Sequence, residues 1–213
     1  MTLFSHGLRA EIAQSIAGLI VHDLLPWQTA REKVAASYGR IPAGEMPSGE
    51  EIESAVRETW AIFDAKAHSA LLRARRSAAL RLLSTLLAPF EGFLTGPVLN
   101  GAATPESNIT LLVYTEDVKA VEVELLKRDL AFDVLETIDP RMPPPLEVLA
   151  FLDPESPPRE PVGVLVEIRS PRERGRRPER RTPDAWQEDW EAAGRLDAAA
   201  LEKHLALKRH PHG

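Results

Sequence analysis

The first part of the chain, up to Phe90, has apolar residues that recur every three or four positions. This spacing places them on one face of an α-helix. It predicts four helices, which run from Leu8 to Leu24, from Trp27 to Tyr38, from Ser48 to Phe63, and from Leu71 to just before Pro89.

Two of these helices carry signals at their ends. Gly39 follows the second helix, in the position where glycine commonly ends a helix. Ser48 precedes the third, and Glu51 follows it three residues later, which is the spacing of a capping box. The N-terminal part is therefore predicted to be a compact group of about four helices.

From Phe90 onward the pattern changes to short apolar runs rich in Val, Ile and Leu, which are typical of strands. Five strands are predicted, at Gly92–Thr95, Ile109–Thr115, Phe132–Ile138, Leu146–Leu152 and Val162–Ile168. Between the second and third, residues 116–129 place Val118, Val121, Leu125 and Leu126 on one side of a helix. Mixed helix and strand order predicts an α+β fold.

The C-terminal part begins a further helix. Pro183 and Asp184 after Thr182 are typical of a helix start, so the tail to about Lys208 is predicted to be helical, with a division at Gly194 left open. We divide the chain into a helical region (1–66), an α+β domain (67–170) and an Arg-rich loop with a C-terminal helix (171–213).

The amino-acid composition limits the classes of protein to which the chain can belong. The 213 residues are 44% hydrophobic and 27% charged, as in ordinary globular proteins. No cysteine is present, which excludes disulfides, thiolate metal sites and a cysteine nucleophile. No signal peptide or apolar run of membrane-spanning length is recognisable, so we expect a cytoplasmic protein without membrane contact.

The formal net charge of −6 argues against a general nucleic-acid binder, because phosphate contacts need clustered Lys and Arg. One segment is an exception: six arginines lie between Ser170 and Arg181. A phosphate or RNA contact is one interpretation of residues Arg172 to Arg181, and a solvated loop is the other. We expect no nucleic-acid partner except through this segment.

The stretch LTGPVLNGAATPESNITLLV, from Leu94 to Val113, contains turn-forming glycines and prolines of the kind found around binding sites. A strand ends at Leu94, Gly96 makes a turn, a short helical segment follows, and a second strand begins at Ile109. Glycine allows close backbone approach, and the amides at a helix start can hold phosphate. A nucleotide is therefore a candidate ligand.

This order of elements resembles the nucleotidyltransferase superfamily that includes DNA polymerase beta, in its minimal form. The family pattern is hydrophobic-Gly-Ser, a short helix with a second small residue, and Ser-Asp-hydrophobic-Asp-hydrophobic on the next strand. The matching positions are Leu94, Gly96, Pro97, Gly101, Ser107, Asn108, Ile109, Thr110 and Leu111. The chain is also similar to uncharacterised bacterial nucleotidyltransferase-like proteins.

The resemblance implies a nucleotide-binding site, and it also implies that the metal-binding acids of that site are missing. Gly96, Pro97, Gly101 and Ser107 would contact the nucleotide. In the family, two acids on the second strand and a third on a later strand are understood to hold two Mg²⁺ ions, which align the triphosphate.

Here the two strand positions are Asn108 and Thr110, which are neutral, and Pro97 replaces the family serine. Only Glu167 matches an acid. Since Mg²⁺ prefers carboxylate oxygens, we expect no catalytic residues and no metal site, with Glu167 as the one remaining candidate. Mg²⁺ and a nucleoside triphosphate are expected as cofactors only if activity is retained.

The main hypothesis is a catalytically degenerate nucleotidyltransferase-like protein that binds a nucleotide or a protein partner without transferring a nucleotidyl group. A first alternative is an active enzyme that uses Glu167 and a relocated acid such as Glu106, Glu116 or Asp117. A second alternative is an assembly module without a ligand, which would form a homo-oligomer or a partner complex.

Overall fold

The computed structural model describes residues 5–42, 44–136, 145–175 and 178–207, and these ranges contain seven helices and six strands. The helices are α1 (Ser5–His22), α2 (Trp27–Tyr38), α3 (Gly49–Phe63), α4 (Ala65–Thr85), α5 (Gly96–Asn100), α6 (Val118–Leu126) and α7 (Ala198–Leu207). The strands are β1 (Gly92–Thr95), β2 (Ile109–Tyr114), β3 (Asp133–Val134), β4 (Glu147–Leu152), β5 (Gly163–Arg169) and β6 (Arg195–Asp197). The predicted α+β fold is confirmed.

Helices α1, α2 and α3 form one apolar cluster. Its buried side chains include Ile12 and Ile16 of α1 and Ile52 and Trp60 of α3. The predicted capping box at the start of α3 is present, since Ser48 and Glu51 each accept a hydrogen bond from the other's backbone amide. No helix within the described ranges is long and apolar enough to cross a membrane.

The six strands form one mixed sheet in the order β3-β4-β5-β2-β1-β6. Strand β2 lies at the centre, parallel to β5 and antiparallel to β1. Strand β6 pairs with β1 at one edge, and the two-residue β3 pairs with β4 at the other.

The two faces of the sheet differ. One face contributes apolar side chains to a second core, which it shares with α4, α6 and α7: Leu94, Ile109, Leu111, Val113, Leu149, Phe151, Val164, Val166 and Ile168. Because strand side chains alternate, the residues between them face the other way. That opposite face carries Thr110 of β2, Glu167 of β5 and Arg195 of β6. We call it the polar face.

The predicted helix start at Thr182 is wrong, whereas the helical end of the tail is confirmed by α7. Residues 182–194 form turns, followed by β6 and then α7. Acidic side chains in this segment bind nearby amides: Asp184 accepts from Trp186 N at 2.9 Å, and Glu191 accepts from Glu188 N at 2.8 Å. Such local bonds compete with helix formation.

Smaller differences concern the ends of elements and their buried faces. Helix α1 ends at His22 rather than at Leu24, which adopts a left-handed φ of 52°. Strand β3 covers only two residues of the predicted run, whose last two positions lie outside the described residues. Phe63 and Leu126 belong to the apolar patterns that predict α3 and α6, but they are 58% and 60% exposed.

Candidate functional site

The turn between β1 and α5 is built around Gly96. Its φ is +69°, a left-handed conformation that favours glycine. A Cβ at this position would lie 3.4 Å from both Cβ and Oγ1 of Thr110. The turn therefore brings the backbone of Gly96 against the side chain of Thr110 on the neighbouring strand.

Gly96 lies on the wall of a cavity of about 780 Å³. We call it the Gly96 cavity. Its other walls are the first turns of α3, residues 50–57, and the irregular segment 178–194. Thr95, just before the turn, donates its hydroxyl to Gly194 O at 2.9 Å and accepts no capping hydrogen bond from an amide of α5. Three separate parts of the chain thus line this open cavity.

The carboxylates in the cavity wall are largely paired with guanidinium groups. Arg181 contacts both Glu50 and Glu53, at 3.0 and 2.8 Å, and so joins the C-terminal segment to α3. Arg57 contacts Asp184 at 2.6 Å. Burial raises the pKa of Asp184, but the hydrogen bonds from Arg57 and Ser54 outweigh it, and the pKa lies below its usual value. These ion pairs join the C-terminal segment to α3 across the cavity.

The far end of α5 is held by buried cations. Arg76 of α4 donates to the carbonyls of Val98 and Leu99, each at 2.9 Å, and pairs with Glu191 at 2.7 Å. Its guanidinium also lies 4.5 Å from the Trp190 ring centroid. Burial lowers the pKa of Arg76, while Glu191 opposes that shift. The arginine is therefore fixed by contacts to α5 and to the C-terminal segment.

Three further side chains complete this end. Arg57 and Gln187 both donate to Asn100 O, at 3.2 and 2.8 Å. The ring of His68 stacks on Trp60, and its Nε2 lies 3.1 Å from Ala103 O. Burial lowers the pKa of His68, which favours the neutral ring. The short helix is thus anchored at its C-terminal end by side chains from α3, α4 and residue 187.

Asn108 and Thr110 lie on the polar face, at the start of β2. Asn108 is exposed and directly precedes the paired residues Ile109 and Val164. Its side-chain amide occupies the space that a Cβ on Gly163 would need. Thr110 pairs with Leu165 on one side and Thr95 on the other. The residues next to Thr110, whose side chain lies against Gly96, are therefore neutral.

Glu167 shares the polar face but lies further along it. Its register partner on β2 is Leu112, two residues beyond Thr110, or roughly 7 Å along the strand. Its carboxylate lies 3.4 Å from Nη2 of Arg169, on the side away from Leu165. Arg169 also pairs with Glu173 at 3.1 Å. In this arrangement Glu167 contacts the arginine rather than the Thr110 end of the face.

The other acids considered for a relocated metal site lie in separate places. Glu106 is exposed on the loop before β2. Glu116 accepts from the Ser170 hydroxyl at 2.6 Å, and Asp117 caps α6 by accepting from Ala120 N at 3.0 Å. Over the part of the chain that the structure describes, no group of three or more His, Asp or Glu side chains could hold a metal ion.

The remaining predicted contacts are distributed around α5. Pro97 lies in its first turn, and Gly101 ends it with a φ of 85°. A Cβ on Gly101 would lie 3.5 Å from Cδ of Arg57. The Ser107 hydroxyl accepts from Thr104 N at 2.9 Å, and so closes a turn in the loop. Of the four predicted residues, Gly96 is the one on the wall of the Gly96 cavity.

The Arg-rich segment is divided between two places. Arg174 pairs with Glu91 ahead of β1, whereas Arg180 and Arg181 line the Gly96 cavity. Arg176 and Arg177 lie outside the described residues. The described arginines of the segment thus belong to two surfaces of the molecule.

Sequence reasoning missed most of the cavity wall. Arg57, Asp184 and Glu191 resemble ordinary polar positions of surface helices, and their partners are distant along the chain. The one local signal was the density of charge around Pro183. No known protein family, no curated protein and no solved structure matches the chain.

Proposed function

We propose that this chain is a non-catalytic nucleotide-binding protein on a nucleotidyltransferase-like scaffold, with the nucleotide in the Gly96 cavity. The observation that carries the proposal is the left-handed turn at Gly96, which lies on the cavity wall and also contacts Thr110 of the neighbouring strand. This contact joins the glycine turn to a strand whose Asn108 and Thr110 are neutral. The scaffold for a phosphate ligand is kept, and the charges for two-metal transfer are missing.

The size of the Gly96 cavity supports a nucleotide as the ligand. A volume of about 780 Å³ falls within the range of roughly 300–1,000 Å³ typical of small-molecule sites. The wall holds six carboxylates and three arginines, so a phosphate would have to be bound by individual guanidinium groups rather than attracted by the overall charge of the wall.

Two arginines of the wall are available to phosphate. Arg180 and its partner Asp189 are both largely exposed, as are Arg181 and its partner Glu50. Exposed ion pairs stabilise a fold by only about 0–1 kcal/mol, so they can exchange partners at little cost. A phosphate group could therefore replace Asp189 or Glu50 as the partner of these guanidinium groups.

The absence of transfer follows from the metal chemistry. Mg²⁺ requires hard oxygen ligands in near-octahedral geometry, and two strand carboxylates supply them in the resembled family. An amide and a hydroxyl at positions 108 and 110 supply no negative charge. The contact of Glu167 with Arg169 gives no support to the alternative in which Glu167 holds an ion.

Isothermal titration of the full chain with ATP, GTP, CTP and UTP, each with Mg²⁺ and with EDTA, tests the proposal. We expect saturable binding of at least one nucleotide. Arg181→Gln should weaken it about tenfold, the effect of losing one charged hydrogen bond. Arg172→Gln, at an exposed arginine outside the cavity, is the matched control and should bind as the unaltered chain does. Lack of binding by all four nucleotides would overturn the proposal.

A second candidate is an assembly or interaction module. The observation that favours it is the exposure of two apolar side chains at the end of α3, Ile62 (77%) and Phe63 (58%). Paired exposed apolar residues are typical of contact surfaces. Light scattering at increasing concentration tests it: a homo-oligomer that Ile62→Ser with Phe63→Ser dissociates would support this candidate. A chain that stays monomeric at all concentrations and still binds a nucleotide would favour the first candidate.

A further inference from the structure

A second concavity, of about 200 Å³, lies on the other side of Arg57 from the Gly96 cavity. It is bounded by α4, the end of α3, Trp186 and Leu205 of α7. We call it the Trp186 groove. Arg57 and Glu191 line both concavities, so the two are neighbours that share a wall.

One side of the Trp186 groove is apolar. Leu72 is buried at its base, Leu205 is half-buried, and the side chain of Trp186 is 47% exposed. A tryptophan that remains this exposed next to a concavity offers a flat apolar surface to a ligand. An engineered cavity of roughly 150 Å³ binds benzene, so the groove has room for one ring and a small substituent.

The opposite side is polar and belongs to α4. Ser69, Arg73 and Ser77 follow one another at intervals of four residues, which places them on one face of the helix. All three are exposed. The groove therefore has an apolar wall facing a wall of two hydroxyls and a guanidinium.

The cations of the groove are not equivalent. Arg57 and Arg76 are buried, and their groups are bound by Asp184, Glu191 and the carbonyls of α5. His68 is buried too, and its lowered pKa favours the uncharged ring. Arg73, by contrast, has no hydrogen bond or ion pair with any residue in the described ranges. One unpaired positive charge therefore faces the groove.

We propose that the Trp186 groove binds a small aromatic carboxylate, with the ring against Trp186 and the carboxylate on Arg73. The guanidinium supplies a two-pronged donor for the carboxylate, and the hydroxyls of Ser69 and Ser77 lie one turn to either side. A ring of benzoate size matches the volume. This site is separate from the nucleotide site and does not depend on it.

The probe is benzoate, titrated into the full ¹⁵N-labelled chain and followed by ¹H–¹⁵N spectra. We expect saturable shifts at the amides of Ser69, Arg73 and Ser77 and at the Trp186 indole. Benzylamine has the same ring with the opposite charge, and acetate has the same charge without the ring. Both should bind at least tenfold more weakly than benzoate.

The variant that tests the role of charge is Arg73→Gln, with Arg172→Gln as the matched control. Since both arginines are exposed, neither change should alter the melting temperature by more than a degree or two. Arg73→Gln should weaken benzoate binding at least tenfold, and Arg172→Gln should not change it. The proposal is overturned by non-saturating shifts, by an unchanged affinity in Arg73→Gln, by equal binding of benzylamine, or by shifts at Gly96 and Gly194 instead.

Discussion

The two ends of α5 have opposite surroundings, although the helix is only five residues long. At the C-terminal end, buried Arg76 binds the carbonyls of Val98 and Leu99. At the N-terminal end, Gly96 lies on the wall of a large cavity, and the side chain of Thr95 is turned away to Gly194. One end is fixed by protein contacts, and the other faces space that a ligand can fill.

The two ends of α5 therefore have different roles in the site. Cations at a helix C-terminus stabilise its exposed carbonyls and complement the helix dipole. A helix this short has little stability of its own, so its position depends on such contacts. Arg57 and Arg76 are used to hold the C-terminal end of α5, while Arg180 and Arg181 at the cavity are the arginines available to a phosphate. The predictions below act on one end or the other.

The largest expected effect is at the anchored end. Arg76→Met leaves Glu191 as a buried, unpaired charge and removes the donors for two carbonyls. Breaking a buried pair from one side costs about 3–5 kcal/mol, which urea unfolding followed by circular dichroism would measure. The control is Arg73→Met, at an exposed arginine one turn earlier, with an expected change within about 0.5 kcal/mol.

Removing both partners sharpens the same test. In Arg76→Met with Glu191→Met no buried charge remains, so the double variant should be more stable than Arg76→Met alone. A single variant within about 0.5 kcal/mol of the unaltered chain would show that the ion pair does not anchor α5.

The next effect is at the wall of the Gly96 cavity. Gly194 has a φ of +77°, and a Cβ there would overlap the carbonyl of Glu179. Gly194→Ala should therefore push the 178–181 segment away from β6 and cost about 2–4 kcal/mol, the sum of backbone strain and overpacking. Gly175→Ala, where a Cβ meets open space, is the comparison and should cost far less. Equal costs for the two variants would argue against close packing at the wall.

A smaller effect is expected at the turn itself. Gly96→Ala imposes a left-handed φ on alanine, at about 1–2 kcal/mol, and places its Cβ against Thr110. Gly39 is a close control, because its φ of +67° is nearly the same and open space surrounds it. Both variants should lose stability, but only Gly96→Ala should weaken nucleotide binding in isothermal titration. Weakening by Gly39→Ala as well would remove the turn from the binding site.

The smallest effect is a pH dependence from His68. Its folded pKa is lowered by burial, so below the ordinary value of 6.5 the unfolded chain binds a proton that the folded chain resists. Stability is then fully present above pH 6.5 and is lost as the pH falls below it, with a slope of at most about 1.4 kcal/mol per pH unit. His68→Gln should flatten this part of the stability curve between pH 7 and pH 5. An unchanged slope in His68→Gln would contradict this prediction.

Local sequence signals were sufficient for most of the elements. The strand at Gly92–Thr95 and the helix at Trp27–Tyr38 have the predicted bounds. In each, the apolar pattern and the residues that end the element are close together in sequence. The capping box at Ser48 is likewise a local arrangement, complete within four residues. Elements whose determinants are close together in sequence were therefore predictable.

The C-terminal segment was not, because its structure is decided by distant partners. Thr182 to Asp184 have the residues of a helix start, but Asp184 pairs with Arg57, and Arg181 N donates to Ala192 O at 2.8 Å. The buried role of Arg76 is equally invisible in sequence, where it is one of several arginines on a polar-looking helix. The cavity wall depends on these long-range contacts, so the glycine turn was predicted and its enclosure was not.

The most direct test of the central claim is the fate of a bound nucleotide. The full chain, loaded with whichever nucleotide the titration identifies, is incubated with Mg²⁺, and pyrophosphate release and labelling of the protein are followed over time. Asn108→Asp with Thr110→Asp is measured beside it, to show whether restored carboxylates confer activity on this scaffold. Our account predicts that the unaltered chain returns its nucleotide unchanged; Mg²⁺-dependent pyrophosphate release that Glu167→Ala abolishes would contradict it.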